Sequence, residues 1–100
     1  MPDLREIAEK VRSKNAGPFW VTIDIFCGSP AAFARVRDGL EPSVAARALG
    51  VPTQELKRFD IADLNVVKLS APRPAVQGTV IDRDMHGAGW AALIAELSID

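Results

Sequence analysis

Two stretches of this 100-residue sequence gather side chains that hold or move charge. The first is Arg12-Ser13-Lys14-Asn15-Ala16-Gly17-Pro18. Arg12 offers a planar fork of N–H donors and Lys14 a mobile ammonium, a pairing suited to a carboxylate or a phosphate. Asn15 tolerates a left-handed backbone, and Gly17 lets a ligand come close to main-chain N–H groups. Read as a basic, glycine-containing loop leading into a strand, Arg12, Ser13, Lys14, Asn15 and Gly17 form an anion cradle. The competing reading is a solvated turn whose Arg and Lys cover an apolar rim.

The second stretch holds the only histidine, His86, close to Asp82 and Asp84. His86, with an ordinary pKa of roughly 6.5, suits a general base, and Asp84 is its companion for proton transfer. A lone histidine at a glycine-rich turn is also an ordinary exposed residue, and no metal site is expected from it. Arg73 stands between Pro72 and Pro74 on a stiff extended segment. That preorganises it for an anion, or makes it an edge guard against aggregation. Cys27 precedes a probable helix start, where a thiolate is favoured, yet it has no sequence partner and reads as a buried filler. Asn65 reads as satisfying backbone within a sheet, and Trp20 and Trp90 as core or interface anchors. No Ser-His-Asp order, phosphate loop, dinucleotide fingerprint or CxxC motif occurs.

These residues need elements to position them. Leu4, Ile7, Ala8 and Val11 repeat with helical spacing after a plausible cap at Asp3, which predicts a helix over 4–12 and a loop over 12–18. Residues 19–26 predict a strand with Phe19, Val21, Ile23 and Ile25 on one face and Trp20, Thr22, Asp24 and Phe26 on the other. Ser29-Pro30 opens a helix over 30–38, and Glu41-Pro42-Ser43 opens a shorter one that stops at Gly50. Strands are expected at 55–61, 64–70 and 79–83, with a turn at 86–89. Two prolines keep residues 71–74 out of a central strand. Residues 91–99 fit both a strand and a helix stripe, and periodicity alone does not decide between them.

Composition bounds the rest. One domain spanning 1–100 is expected, and a chain of this size hides roughly two-thirds of its unfolded surface. Twelve Lys and Arg against 13 Asp and Glu leave no long-range field for a polyanion, so no nucleic acid is expected as a partner. An RNA-binding sheet is further opposed by the absence of an aromatic-basic face in this reading. A lone cysteine fits a reducing compartment, and neither a signal peptide nor a membrane span is seen, so a cytoplasmic location is expected. Four or five strands with two or three short helices imply an α+β, two-layer sandwich with a mostly antiparallel sheet.

The loop Arg12 to Pro18, the strand Val21-Thr22-Ile23-Asp24-Ile25, Gly50-Val51-Pro52, Pro72-Arg73-Pro74 and Leu93 to Ile99 together resemble domain-of-unknown-function family 4387, a family of uncharacterised bacterial proteins. The loop also resembles the Arg-Ser-Gly-Asp-Lys-Gly-Asn loop in the C-terminal domain of acyclic-terpene-utilisation proteins. Arg12 and Ser13 match it and Lys14 to Pro18 depart from it, while Leu64-Asn65-Val66 resembles that family's Leu-Asn-Phe strand. This second resemblance implies a ferredoxin-like sheet, a strand at 93–99, and a small chain working beside a large acyclic-terpene-utilisation-type subunit. The expected function is therefore an accessory or interaction domain with an anion contact (carboxylate or acyl-CoA) at 12–18, rather than an independent enzyme. The alternative is a self-sufficient lyase or hydratase on a carboxylate or acyl thioester, with His86 or Asp84 moving the proton. No cofactor is specified. A C2 homodimer is the expected self-contact.

Overall fold

The computed structural model describes residues 3–16, 19–72 and 87–99. A single helical turn, α1 (Leu4–Ile7), leads into a hairpin of β1 (Lys10–Asn15) and β2 (Trp20–Phe26). Two helices follow, α2 (Pro30–Gly39) and α3 (Pro42–Leu49). A second hairpin, β3 (Lys57–Ile61) and β4 (Val66–Pro72), precedes α4 (Gly87–Ala95). The strands form one antiparallel sheet in the order β1-β2-β4-β3, and the chain has the α+β class its patterning predicts.

Alternation along the two central strands decides which face is covered. Val21, Ile23 and Ile25 of β2 and Val67, Leu69 and Ala71 of β4 are buried, and they meet Leu4, Phe33, Val36, Leu40, Ala45, Leu49, Ile94 and Ile99 in one core. Each large aliphatic side chain here contributes about 1.5–3 kcal/mol by leaving water. The helices pack on this face alone among the described elements, with α4 against β1 and α2 against β4. Their limits follow local chemistry. Ser29 Oγ accepts from the Ala32 N–H at 3.1 Å to start α2, with Pro30 in its first turn. Pro42 opens α3, and Gly50, at φ 74°, closes it in the left-handed conformation.

Several expectations are corrected. Residues 10–15 form a strand, not the end of a helix and the start of a loop. Leu4 and Ala8 are already buried by the one-turn helix, and Val11 is spent opposite Ile25 in the sheet. Asn15 is extended rather than left-handed; among the described non-glycine residues only Asn65 has positive φ, at 54°. Asn65 ends a 3-10 turn over Ala62–Leu64, so β4 starts at Val66 rather than 64, and its carbonyl accepts from the Cys27 N–H at 2.8 Å. Likewise Thr53–Glu55 is a 3-10 turn and β3 begins at Lys57.

Ala71 and Pro72 belong to central β4 after all. β3 pairs no further than Ser70, so Pro72 is flanked by a strand on the β2 side only. Residues 93–95 are helical, against the strand implied at 93–99. Ala91, Ala92, Leu93 and Ala95 are strong helix formers, and Ile94 enters the core as part of the helix stripe. Only Ser98 keeps a β-bridge, to Asp3. The strand at 79–83 and most of the turn at 86–89 lie outside the described residues.

Candidate functional site: the open sheet face

Each β1 residue takes its face from its partner in the register. Val11, Ser13 and Asn15 oppose Ile25, Ile23 and Val21 and so lie on the helical side. Lys10, Arg12 and Lys14 oppose Phe26, Asp24 and Thr22 on the other side, which no described helix covers. Following the register across the sheet gives rows of side chains on this open face. Lys10, Phe26, Val66 and Ile61 form one row. Arg12, Asp24, Lys68 and Phe59 form the next, followed by Lys14, Thr22, Ser70 and Lys57. Trp20 and Pro72 close the series.

The face is therefore strongly basic. Among the strand residues Lys10, Arg12, Lys14, Lys57 and Lys68 stand against the carboxylate of Asp24, with Glu9 at the edge beside Lys10. It is also aromatic. Trp20 is 39% and Phe59 51% exposed, and Lys57 Nζ sits 5.6 Å from the Trp20 ring centroid. The expectation that no sheet face combines aromatic and basic residues is thus corrected.

Two hollows lie side by side along the β1–β2 hairpin. One, of about 160 Å³, is lined by Arg12, Ser13, Lys14, Asp24 and Phe26. The other, of about 270 Å³, is lined by Glu9, Lys10, Arg12 and Phe26. Asp24 Oδ1 and Thr22 Oγ1 are buried here without a hydrogen-bond partner among the described residues. Leaving such a group unsatisfied costs about 1–3 kcal/mol, so an incoming ligand with matching donors or acceptors would offset that cost. Among the described residues, the Arg12 and Lys14 side chains are engaged in no ion pair or hydrogen bond.

The structure thus brings Arg12 and Lys14 together and separates them from two of their expected companions. Ser13 borders the hollow, but its Oγ accepts from the Ala91 N–H at 2.9 Å and so ties β1 to α4. Asn15 is on the helical side at the strand end. Gly17, Arg73, Asp84 and His86 lie outside the described residues. Lys10, Lys57, Lys68 and Asp24 were missed as site residues. The alternation of cations at 10, 12 and 14 was the available signal for the first; the others need the register. Among the described residues no group of three or more His, Cys, Asp or Glu comes together to hold a metal ion.

Cys27 is remote in character from this face. Its thiol is buried at 4% exposure and 3.7 Å from the Ile25 carbonyl oxygen. Burial pushes its pKa up despite a backbone hydrogen bond that pulls it down, which is the reverse of an activated thiolate. No described helix is long and apolar enough to cross a membrane.

No curated protein and no solved structure matches this chain. The family model described as "Domain of unknown function (DUF4387)" matches residues 4–98, which include the basic strand, the sheet that flattens it into a face, and the helices behind. The chain belongs to the DUF4387 family.

Proposed function

We propose that this chain is a small accessory or interaction domain that contacts an anionic ligand through the open face of its sheet and works with a larger protein of the acyclic-terpene-utilisation type. One observation carries the reading. Arg12 and Lys14 share an exposed face beside two open hollows of about 160 and 270 Å³, each below the roughly 300–1,000 Å³ of a pocket that encloses a small molecule. A second wall is needed, and a partner chain is the natural source of it. On this view the carboxylate or phosphate of the ligand meets Arg12 and Lys14, its apolar part lies on Phe26, and the partner closes the site. A cytoplasmic location goes with this reading, and Cys27 as a free, buried thiol is compatible with it.

Co-expression with a large acyclic-terpene-utilisation-type protein tests the proposal. The two chains should co-purify, and the complex should bind a carboxylate or acyl thioester that neither chain binds tightly alone. Arg12→Ala should lower that affinity roughly ten- to a hundredfold, since it removes a charge-assisted contact. No co-purification, together with binding unaffected by Arg12→Ala, would retire it.

A self-sufficient lyase or hydratase is the second reading, and Asp24 favours it. A carboxylate oxygen buried without a partner beside an arginine is placed to take a proton from a bound acid. In that case the chain alone should turn over substrate, and Asp24→Asn should abolish turnover while leaving binding intact.

A further inference from the structure

We propose that the Trp20 end of the open face takes a nucleotide, an aromatic base joined through a ribose to a short phosphate chain. The inference rests on the anion-binding reading above and adds the class of anion. Lys14, Thr22, Ser70 and Lys57 stand in one row across the four strands, two hydroxyls between two ammonium groups. Among the described residues Thr22 Oγ1 has no hydrogen-bond partner, so a rotation of its buried hydroxyl toward a phosphate oxygen in the row supplies the acceptor it lacks.

Trp20 lies two residues before Thr22 on the same strand face, a step of about 7 Å in an extended strand. One ribose bridges such a step. The indole remains 39% exposed with Lys57 Nζ over its ring at 5.6 Å, so a base stacks there as the flexible lysine swings from the ring to the phosphates. Lys14 is shared with the anion contact proposed above, and Asp24, opposite Arg12 in the adjoining row, partly offsets that arginine, so the phosphates favour the row of Lys14 and Lys57. The occupant is a short anion and not a nucleic acid strand. Of the other exposed aromatics, Phe59 lies across the sheet on β3 and Phe19 precedes β2, so this face offers no row of stacking platforms to successive bases.

Calorimetric titration of the full chain with inorganic pyrophosphate, ADP and coenzyme A, without divalent metal, decides the matter. ADP should bind tighter than pyrophosphate by roughly 5- to 150-fold, the range that base–aromatic stacking supplies. Trp20→Ala should remove that preference and leave pyrophosphate binding as it was, while Trp20→Phe keeps part of it. Lys14→Gln should weaken both ligands. Coenzyme A matching ADP identifies a free nucleotide as the source, and coenzyme A binding tighter identifies the nucleotide tail of a thioester. Pyrophosphate binding with no advantage for ADP overturns the inference and leaves the anion reading standing. Absence of binding by every probe at millimolar concentration overturns both. A single-stranded oligonucleotide that binds and is not displaced by ADP also overturns it.

Discussion

Thr22 is the residue whose position is hardest to account for by stability alone. Its hydroxyl is buried on a sheet face without a partner among the described residues, where valine would fill the same space and favour the strand. Thr22→Val should therefore stabilise the fold by about 1 kcal/mol. For a domain of this length that raises Tm by roughly 4–8 °C, and a fall in Tm would show that the hydroxyl is satisfied. Gly28 is constrained in the opposite sense. It sits at φ 87°, and a Cβ there would lie 2.6 Å from Glu9 Oε2 and 3.1 Å from Glu9 Cβ. Gly28→Ala should cost about 1–3 kcal/mol by chemical denaturation, since both the backbone and the side chain of Glu9 must yield. Cys27 sets a limit at alkaline pH. Its folded pKa is raised above the ordinary 9.0, so the unfolded chain loses the thiol proton first. Stability is intact below that value and declines as pH rises through the raised pKa, and Cys27→Ala should flatten this alkaline decline in a pH series of Tm.

Between elements, Arg58 is the connector that matters most. It projects from β3 to the helical side, where its guanidinium donates to the Leu40 and Arg37 carbonyls at the end of α2 and pairs with Asp60 at 2.9 Å. Those carbonyls are among the unsatisfied groups of a helix C-terminus, and the arginine side chain is only 14% exposed. Arg58→Ala should cost about 2–3 kcal/mol in a denaturant titration, and Arg58→Lys should recover only part because one ammonium cannot reach both carbonyls and the carboxylate. A cost below half a kcal/mol would show that α2 is held by its apolar face alone. Elements of this kind also show what a sequence displays. The strand Trp20–Phe26 and the helices opened by Ser29-Pro30 and Pro42 were legible because alternation, caps and stops agreed locally. Lys10–Asn15 was misread because four apolar residues at helical spacing straddle a one-turn helix and a strand, and the cation alternation was the weaker-looking signal. Residues 93–95 were misread because the two periods coincide there, and packing of α4 on β1 chose between them.

At the scale of the whole molecule, charge is segregated rather than scarce. Net charge near zero argues against anion binding only if the charges are mixed, and the register shows that they are not. Arg12 and Lys14 were legible as anion ligands from residue type, but their alliance with Lys57 and Lys68 depends on β3 and β4 returning to the same sheet, which no local pattern encodes. This makes a sharp comparison available. Arg12→Glu with Lys14→Glu changes the net charge as much as Arg35→Glu with Arg47→Glu, yet the second pair lies exposed on α2 and α3, behind the sheet. If net charge governed anion binding, both double variants would lose affinity equally and added salt would erase the difference. If the open face governs it, only the first should lose affinity, by at least a hundredfold at low ionic strength, because each reversal replaces an attraction with a repulsion at the same site. Neither pair touches the core, so the second should melt within about 2 °C of the parent chain, as surface substitutions do, and the first somewhat lower because Arg12→Glu faces Asp24 across the strand pair. Equal losses in the two variants would remove the sheet face as the binding surface, whatever the residues on it resemble.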